Sequence, residues 1–257
     1  MRRVGFLLGT LILVALASIY AAVRLIPAPN ALPPSAFDAA MHDYILHHPE
    51  VVLESVGRMQ AQQKAQASAE GAQQAAVIAN RAQLLGDPTS QVAGNPNGDV
   101  ALVLFFDYRC PYCKQGVGEE KALLTMDPGV RVIYKEFPIL GPASVTASRA
   151  ALASVKQGKY LPFHDAMMAF HGDFTDAEIF AMAHGVGIDV ERLKSDMGSD
   201  DITAILRANF VLAQALGING TPAYVIGDRL LGGVTSAAEF EQFAQDARAA
   251  QAAMARP

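Results

Sequence analysis

The 257-residue sequence holds only two cysteines, Cys110 and Cys113, with two residues between them. A bridge across so short a loop removes little entropy from the unfolded chain, so a purely stabilising disulfide explains the pair poorly. A zinc site is disfavoured too, because no second Cys or His pair sits at ligand spacing. Basic clusters are missing beyond Arg2-Arg3, and the formal net charge is −5, which argues against nucleic-acid binding. Between Ser144 and about Gly217 there is no convincing strand pattern. His164, His171 and His184 lie in that stretch without metal-ligand spacing, so packing or surface roles are expected for them.

What is present centres on Asp99–Lys114, DVALVLFFDYRCPYCK. The unbroken apolar run Val100–Phe106 reads as a buried central strand. Lys114–Met126 carries helix formers and stops at Asp127-Pro128-Gly129. The cysteines therefore fall where a strand ends and a helix begins. Unpaired N–H groups and the helix dipole favour an anion there. Cys110 at the cap is expected to be an exposed, stabilised thiolate, with Cys113 a turn inside, more buried and placed to attack a mixed disulfide. Pro111 suits the first helical turn.

The N-terminus, Met1-Arg2-Arg3 followed by the apolar stretch Val4–Val23, fits either an export signal or an uncleaved membrane anchor over residues 1–26. In both cases the body of the protein is exported to an oxidising compartment. Residues 27–93 read as an N-terminal helical stalk. Phe37, Met41, Tyr44, Ile45, Val52, Val56 and Met59 form an apolar stripe without an obvious internal partner, which points to oligomerisation. His47-His48 reads as a helix end, or secondarily as a weak metal pair. From Gln60 to about Leu85 the chain is rich in Ala and Gln, with little to bury against a domain.

Gly94–Gly98 opens the compact domain, residues 94–257. Val130–Phe137 alternates as a second strand. Helices are expected over Ser144–Lys156, Leu161–Phe170, Asp176–His184, Val190–Met197 and Asp200–Leu216, with Thr175 and Asp189 as caps. Thr221–Asp228 resumes strand character, a turn at Gly227–Arg229 makes a hairpin, and Ser236 with Glu239 opens the last helix as a capping box.

This order, with FFDYRCPYCK, KEFPILGPAS and GINGTPAYVIGD followed by GGV, resembles the thioredoxin superfamily. The resemblance implies an α/β thioredoxin fold with an inserted helical domain at about 144–217, DsbA-like, preceded by the helical stalk. The HDYILHHPEVVLES segment resembles the N-terminal region of the suppressor of copper sensitivity protein C (ScsC) family, which implies self-association as a trimer. By resemblance Cys110 is the attacking cysteine, Cys113 the resolving one, and Pro222 a cis-proline preceded by Thr221. In that position Thr221 would offer backbone groups to an extended client segment.

The resemblance also implies client proteins with disulfides or thiols, a periplasmic location and a ScsB-like membrane thiol reductase, with no cofactor beyond the redox-active pair. Tyr112 stands where strongly oxidising relatives carry a histidine, so no imidazolium stabilises the Cys110 thiolate. That favours isomerase or reductase use. A disulfide-donating oxidase, and a Cu(I)-binding protein using both thiolates, are the alternatives. Glu136, at the end of the second strand, is either a buried proton acceptor for Cys113 or an exposed strand-end charge. Asp107 and Tyr108 either tune the site or cap and pack, and Lys114 is expected in solvent.

Overall fold

The computed structural model describes residues 34–254; the signal-or-anchor segment lies outside them. The chain divides into two units after Ala65. In the first, α1 (Pro34–His47) and the opening turns of α2 (Pro49–Ala79) leave Phe37, Met41, Tyr44, Ile45, Val52, Val56 and Met59 exposed. Both histidines at their junction serve the helix ends. His47 Nδ1 lies 2.8 Å from the Asp43 carbonyl oxygen, and His48 Nδ1 lies 2.8 Å from Glu50 Oε1.

The second unit continues through α3 (Arg81–Leu85), β1 (Gln91–Gly94), β2 (Val100–Phe106), α4 (Pro111–Met126) and β3 (Val130–Glu136). Five helices follow: α5 (Pro142–Ser154), α6 (Tyr160–Ala169), α7 (Asp176–Gly185), α8 (Val190–Met197) and α9 (Asp200–Ala215). The hairpin β4 (Ala223–Ile226) and β5 (Arg229–Gly232) and the final helix α10 (Ala237–Met254) complete it. Thr175 and Asp189 cap α7 and α8 as expected, and Ser236 and Glu239 bond reciprocally at the start of α10.

Among the described residues the sheet has five strands in the order β1-β3-β2-β4-β5. β2 runs parallel to β3 and antiparallel to β4, which puts it at the centre. Its continuous apolar run follows from burial on both faces. Leu102, Leu104 and Phe106 join one core with Leu123, Phe163 and Phe240, while Val103 and Phe105 join another with Leu212 and Leu216.

Two features depart from the sequence reading. The second core also takes in Val77 from α2 and Leu84 from α3, so the Ala- and Gln-rich segment is not wholly a solvated tether. The short strand β1 pairs antiparallel with β3, so the sheet includes residues ahead of Gly94. An ion pair with a buried lysine fastens this region: Lys135 Nζ on β3 reaches the half-buried Asp87 Oδ2 at 2.7 Å and donates to the Gln83 carbonyl at 3.1 Å.

Candidate active site

The turn between β2 and α4 is held by one buried carboxylate. Asp107 accepts the N–H of Arg109 at 2.8 Å and those of Ile139 and Leu140, both at 2.9 Å. Asp107 therefore splices the end of β2 to the loop after β3, and Arg109 returns a bond to the Leu140 carbonyl at 2.6 Å. On this frame Cys110 takes extended backbone angles as the N-cap of α4, with Pro111 in the first turn. Its sulfur accepts the Cys113 N–H at 3.4 Å.

Across the site the Thr221–Pro222 peptide bond is cis. The Thr221 carbonyl oxygen lies 3.2 Å from Cys110 Sγ and accepts from its thiol. The Pro222 carbonyl is taken by the Gly233 N–H at 3.0 Å. Cys110, Cys113, Pro111, Tyr112, Thr221 and Pro222 thus converge on one spot. The expected exposure of Cys110 is not found: it is 4% exposed and Cys113 1%, whereas Tyr112 between them is 59% exposed. The sulfur turns inward because the helix terminus and the Thr221 carbonyl both bond it. Burial, followed by the neighbouring Cys110, pushes the Cys113 thiol upward, against the opposing bonds from Asp107 and Thr221.

Lys114, expected in solvent, instead donates to the carbonyls of Met167 at 3.1 Å, Met168 at 3.4 Å and Phe170. These belong to the end of α6, whose last carbonyls have no partner within the helix. Its ammonium lies 5.0 Å from the Phe174 ring centroid. Burial lowers its pKa, while the two cysteines and Asp107 act the other way.

Glu136 is buried, not the exposed strand-end charge of its second reading. Its Oε1 accepts from the Tyr108 hydroxyl at 3.0 Å and the Tyr160 hydroxyl at 2.8 Å, and its Oε2 from Ser148 at 2.6 Å. Burial pushes its pKa up to about 8. None of these bonds goes to a cysteine; the link to the active-site turn runs through Tyr108. The Tyr108 hydroxyl also meets His164 Nδ1 at 3.0 Å, which gives His164 a packing role, and burial pushes that imidazole down to about 4.

A third buried carboxylate, Glu120, was not anticipated from the sequence. It sits on the Cys113 face of α4, 3% exposed, with Oε1 accepting from the Tyr224 hydroxyl at 3.1 Å. Burial pushes its pKa up to about 7. A signal was available: Cys113, Gly116, Glu120 and Leu123 fall on one helical stripe, all buried.

Residues 101–246 match the DSBA-like thioredoxin domain. The chain belongs to that family. Residues 35–66 separately match the copper resistance protein ScsC N-terminal domain. A thioredoxin-like oxidoreductase from Silicibacter pomeroyi is 44% identical, over 66% of this chain and 98% of that one, with a TM-score of 0.65. Proteus mirabilis ScsC in a transitional conformation is 29% identical, over 84% of this chain and 96% of that one, with a TM-score of 0.63. The Na(+)/H(+) antiporter NhaA 1 of Salinispora arenicola is 25% identical over 140 residues, 54% of this chain but 22% of that protein. The chain thus spans less than a quarter of the curated relatives' length. Among the described residues no helix is long and apolar enough to cross a membrane.

In this DsbA-like thioredoxin fold the α5–α9 insertion and the cis-proline hairpin both pack against the helix that carries the cysteine pair. The insertion meets α4 through Lys114, and the hairpin meets Cys110 at its N-terminus through Thr221.

Proposed function

We propose that the protein is exported to the periplasm and shuffles or reduces disulfides in client proteins, with Cys110 as attacking and Cys113 as resolving cysteine. The observation that carries this reading is the position of Cys110 Sγ, at a helix N-terminus and 3.2 Å from the Thr221 carbonyl. A cleft of about 310 Å³, walled by Gln73, Thr221, Pro222 and Leu230, runs beside that carbonyl and suits an extended client segment.

The Cys110 thiolate attacks a client disulfide, and a client sulfur leaves with the electron pair. The mixed disulfide is then resolved by another client thiol, which isomerises the client, or by Cys113, which leaves the enzyme oxidised and the client reduced. Tyr112 supplies no cationic stabilisation to the thiolate, which favours these directions over oxidation. A membrane thiol reductase of the ScsB kind would return the pair to its reduced state. The exposed stripe on α1 and α2 would join copies, three by family resemblance, so that several sites act on one client.

Refolding of a scrambled, disulfide-rich protein by the reduced enzyme, compared with oxidation of the reduced substrate by the oxidised enzyme, tests the direction. Faster unscrambling supports isomerase use, and faster oxidation with no unscrambling would make the protein an oxidase. The match to a copper resistance domain favours a second reading in copper tolerance, with Cys110 and Cys113 as soft ligands for Cu(I). Among the described residues no group of three or more His, Cys, Asp or Glu comes together for a metal, so each chain would bring two thiolates. Titration of the reduced protein with Cu(I) against a competing chelator tests it.

A further inference from the structure

The residues lining the cleft of about 310 Å³ beside Thr221 come from the stretch 217–233, with one exception, Gln73 on α2. Two neighbours hold α2 in place there. Val77, one turn further along the helix, is buried in the second core, and the Gln74 amide donates to Asp228 in the turn of the hairpin. Gln73 itself is half-buried and faces the cleft, yet among the described residues its side-chain amide makes no hydrogen bond. That amide carries a donor and an acceptor side by side, as a peptide unit does.

Much of the remaining lining is bare backbone. Gly220 and Gly232 both border the cleft, and the fold itself requires glycine at neither. Neither has a left-handed φ, and a Cβ added at either would meet nothing within 4 Å. A side chain missing without an internal reason marks a place where another backbone can come close. The register of the hairpin supplies main-chain groups as well. The Gly233 N–H bonds the Pro222 carbonyl at 3.0 Å, and Gly232 stands opposite Ala223. Bonded and non-bonded pairs alternate along an antiparallel ladder, so the N–H and C=O of Leu230 and Gly232 turn away from β4. Among the described residues β5 is the last strand on that side of the sheet, and these groups have no strand to bond.

We propose that the cleft reads the main chain of an extended client segment, which lies between the Gln73 amide and the bare backbone at Gly220 and Gly232. Gln73 is then a specificity-determining residue. What it selects is a segment whose own N–H and C=O groups are unpaired, as in an unfolded or misfolded client. In a folded client those groups are already bonded within its own helices and sheets. A segment seated in the cleft takes water away from the Gln73 amide and replaces it with peptide groups. A folded surface takes the water away and returns nothing, which leaves the amide buried and unpaired. Discrimination therefore rests on the state of the client backbone and not on its side chains.

Capture at the cleft presupposes attack by Cys110 on the client sulfur, and the two fail differently in one experiment. Two peptides of the same sequence each carry one cysteine as a mixed disulfide with nitrothiobenzoate. In one of them the peptide nitrogens flanking the cysteine are methylated, which removes their hydrogens and keeps the side chains. Each is mixed with the reduced full chain, and glutathione bearing the same leaving group is the reference. Attack on the peptide sulfur expels nitrothiobenzoate as a thiolate with the electron pair, and its colour gives the rate. The wild type is expected to react ~10-fold more slowly with the methylated peptide. Gln73→Ala is expected to lose ~10-fold on the unmethylated peptide relative to glutathione, and to respond little to methylation, as partners in one contact do. Gly220→Ala and Gly232→Ala, whose methyl groups enter open space, are expected to melt no lower than the wild type while their peptide-to-glutathione ratio falls. They serve if Gln73→Ala fails to fold. An equal methylation penalty in the wild type and Gln73→Ala, or an undiminished ratio in both glycine variants, would overturn the proposal. Release of nitrothiobenzoate by Cys110→Ala at the wild-type rate would overturn the role of Cys110 instead.

Discussion

The hydroxyl of Tyr224 stands so close over the backbone of Gly116 that a methyl group there would lie 2.5 Å from it. The shape of α4 is thus matched to Tyr224 of the hairpin that follows the cis-proline. Gly118, two residues on, faces open space. Gly116→Ala is therefore expected to destabilise the protein by about 1–3 kcal/mol through overpacking. Gly118→Ala should stabilise it by up to ~1 kcal/mol, as alanine does in a helix interior. Urea unfolding of the two variants checks this pair, and equal effects would mean that Tyr224 moves aside freely.

Replacement of Cys113 tests the proposed division between attacking and resolving cysteine. Cys113→Ala is expected to accumulate mixed disulfides on Cys110, visible as adducts by non-reducing mass spectrometry. Cys110→Ala should form none. Adducts on Cys113 in the Cys110→Ala protein would reverse the assigned roles.

Glu136 ties stability to pH. Its pKa rises from 4.5 to about 8 on folding because of burial, so between those values the folded state holds a proton that the unfolded state has lost. Its contribution is complete below about pH 4.5 and is lost as pH rises through about 8. Glu120 acts in the same direction up to about 7. His164, lowered from 6.5 to about 4 by burial, opposes both over its own range. Glu136→Gln is expected to flatten the decline on the alkaline side of neutrality, measured by urea unfolding at several pH values. A wild-type-to-variant difference that stays constant with pH would show that the carboxyl does not titrate there.

Truncation tests which part of the N-terminal region belongs to the core. A chain beginning at Gln66 keeps Val77, Leu84 and Asp87, and is expected to retain glutathione exchange while losing self-association, read as mass in solution. A chain beginning at Val92 loses two buried aliphatic side chains, each worth about 1.5–3 kcal/mol, and leaves Lys135 buried without its carboxylate partner. That chain is expected to unfold at far lower temperature. Equal melting of the two would detach α2 and α3 from the core.

Features whose physics is local were legible in the sequence. The run Val100–Phe106 is uniformly apolar because both faces of β2 are covered, and Ser236 and Glu239 meet because a capping box is a local bond pattern. β1 was hidden, since four residues gain strand character only from pairing with β3. Val77 and Leu84 were hidden among Ala and Gln, because two separated side chains make no stripe until the chain turns between α2 and α3. Lys114 and Glu120 misled for a common reason. Charged residues on a helix are solvated by default, and only the neighbouring elements decide otherwise: the open end of α6 for one, Tyr224 for the other. The cysteine pair was plain, but the inward turn of Cys110 was not, because the Thr221 carbonyl that holds it comes from 111 residues away.

That carbonyl has a further consequence. In the resting site it is occupied, accepting the hydrogen of the Cys110 thiol. Once the sulfur is bound to another sulfur it has no hydrogen left to donate. On the proposed exchange, the covalent step itself would uncover a backbone acceptor at the edge of the cleft for an N–H of the attached segment. The Pro222 carbonyl, tied to Gly233, undergoes no such change. On that reading the site would withhold one of its grips until a partner is covalently in hand, and would regain its closed form when the thiol returns.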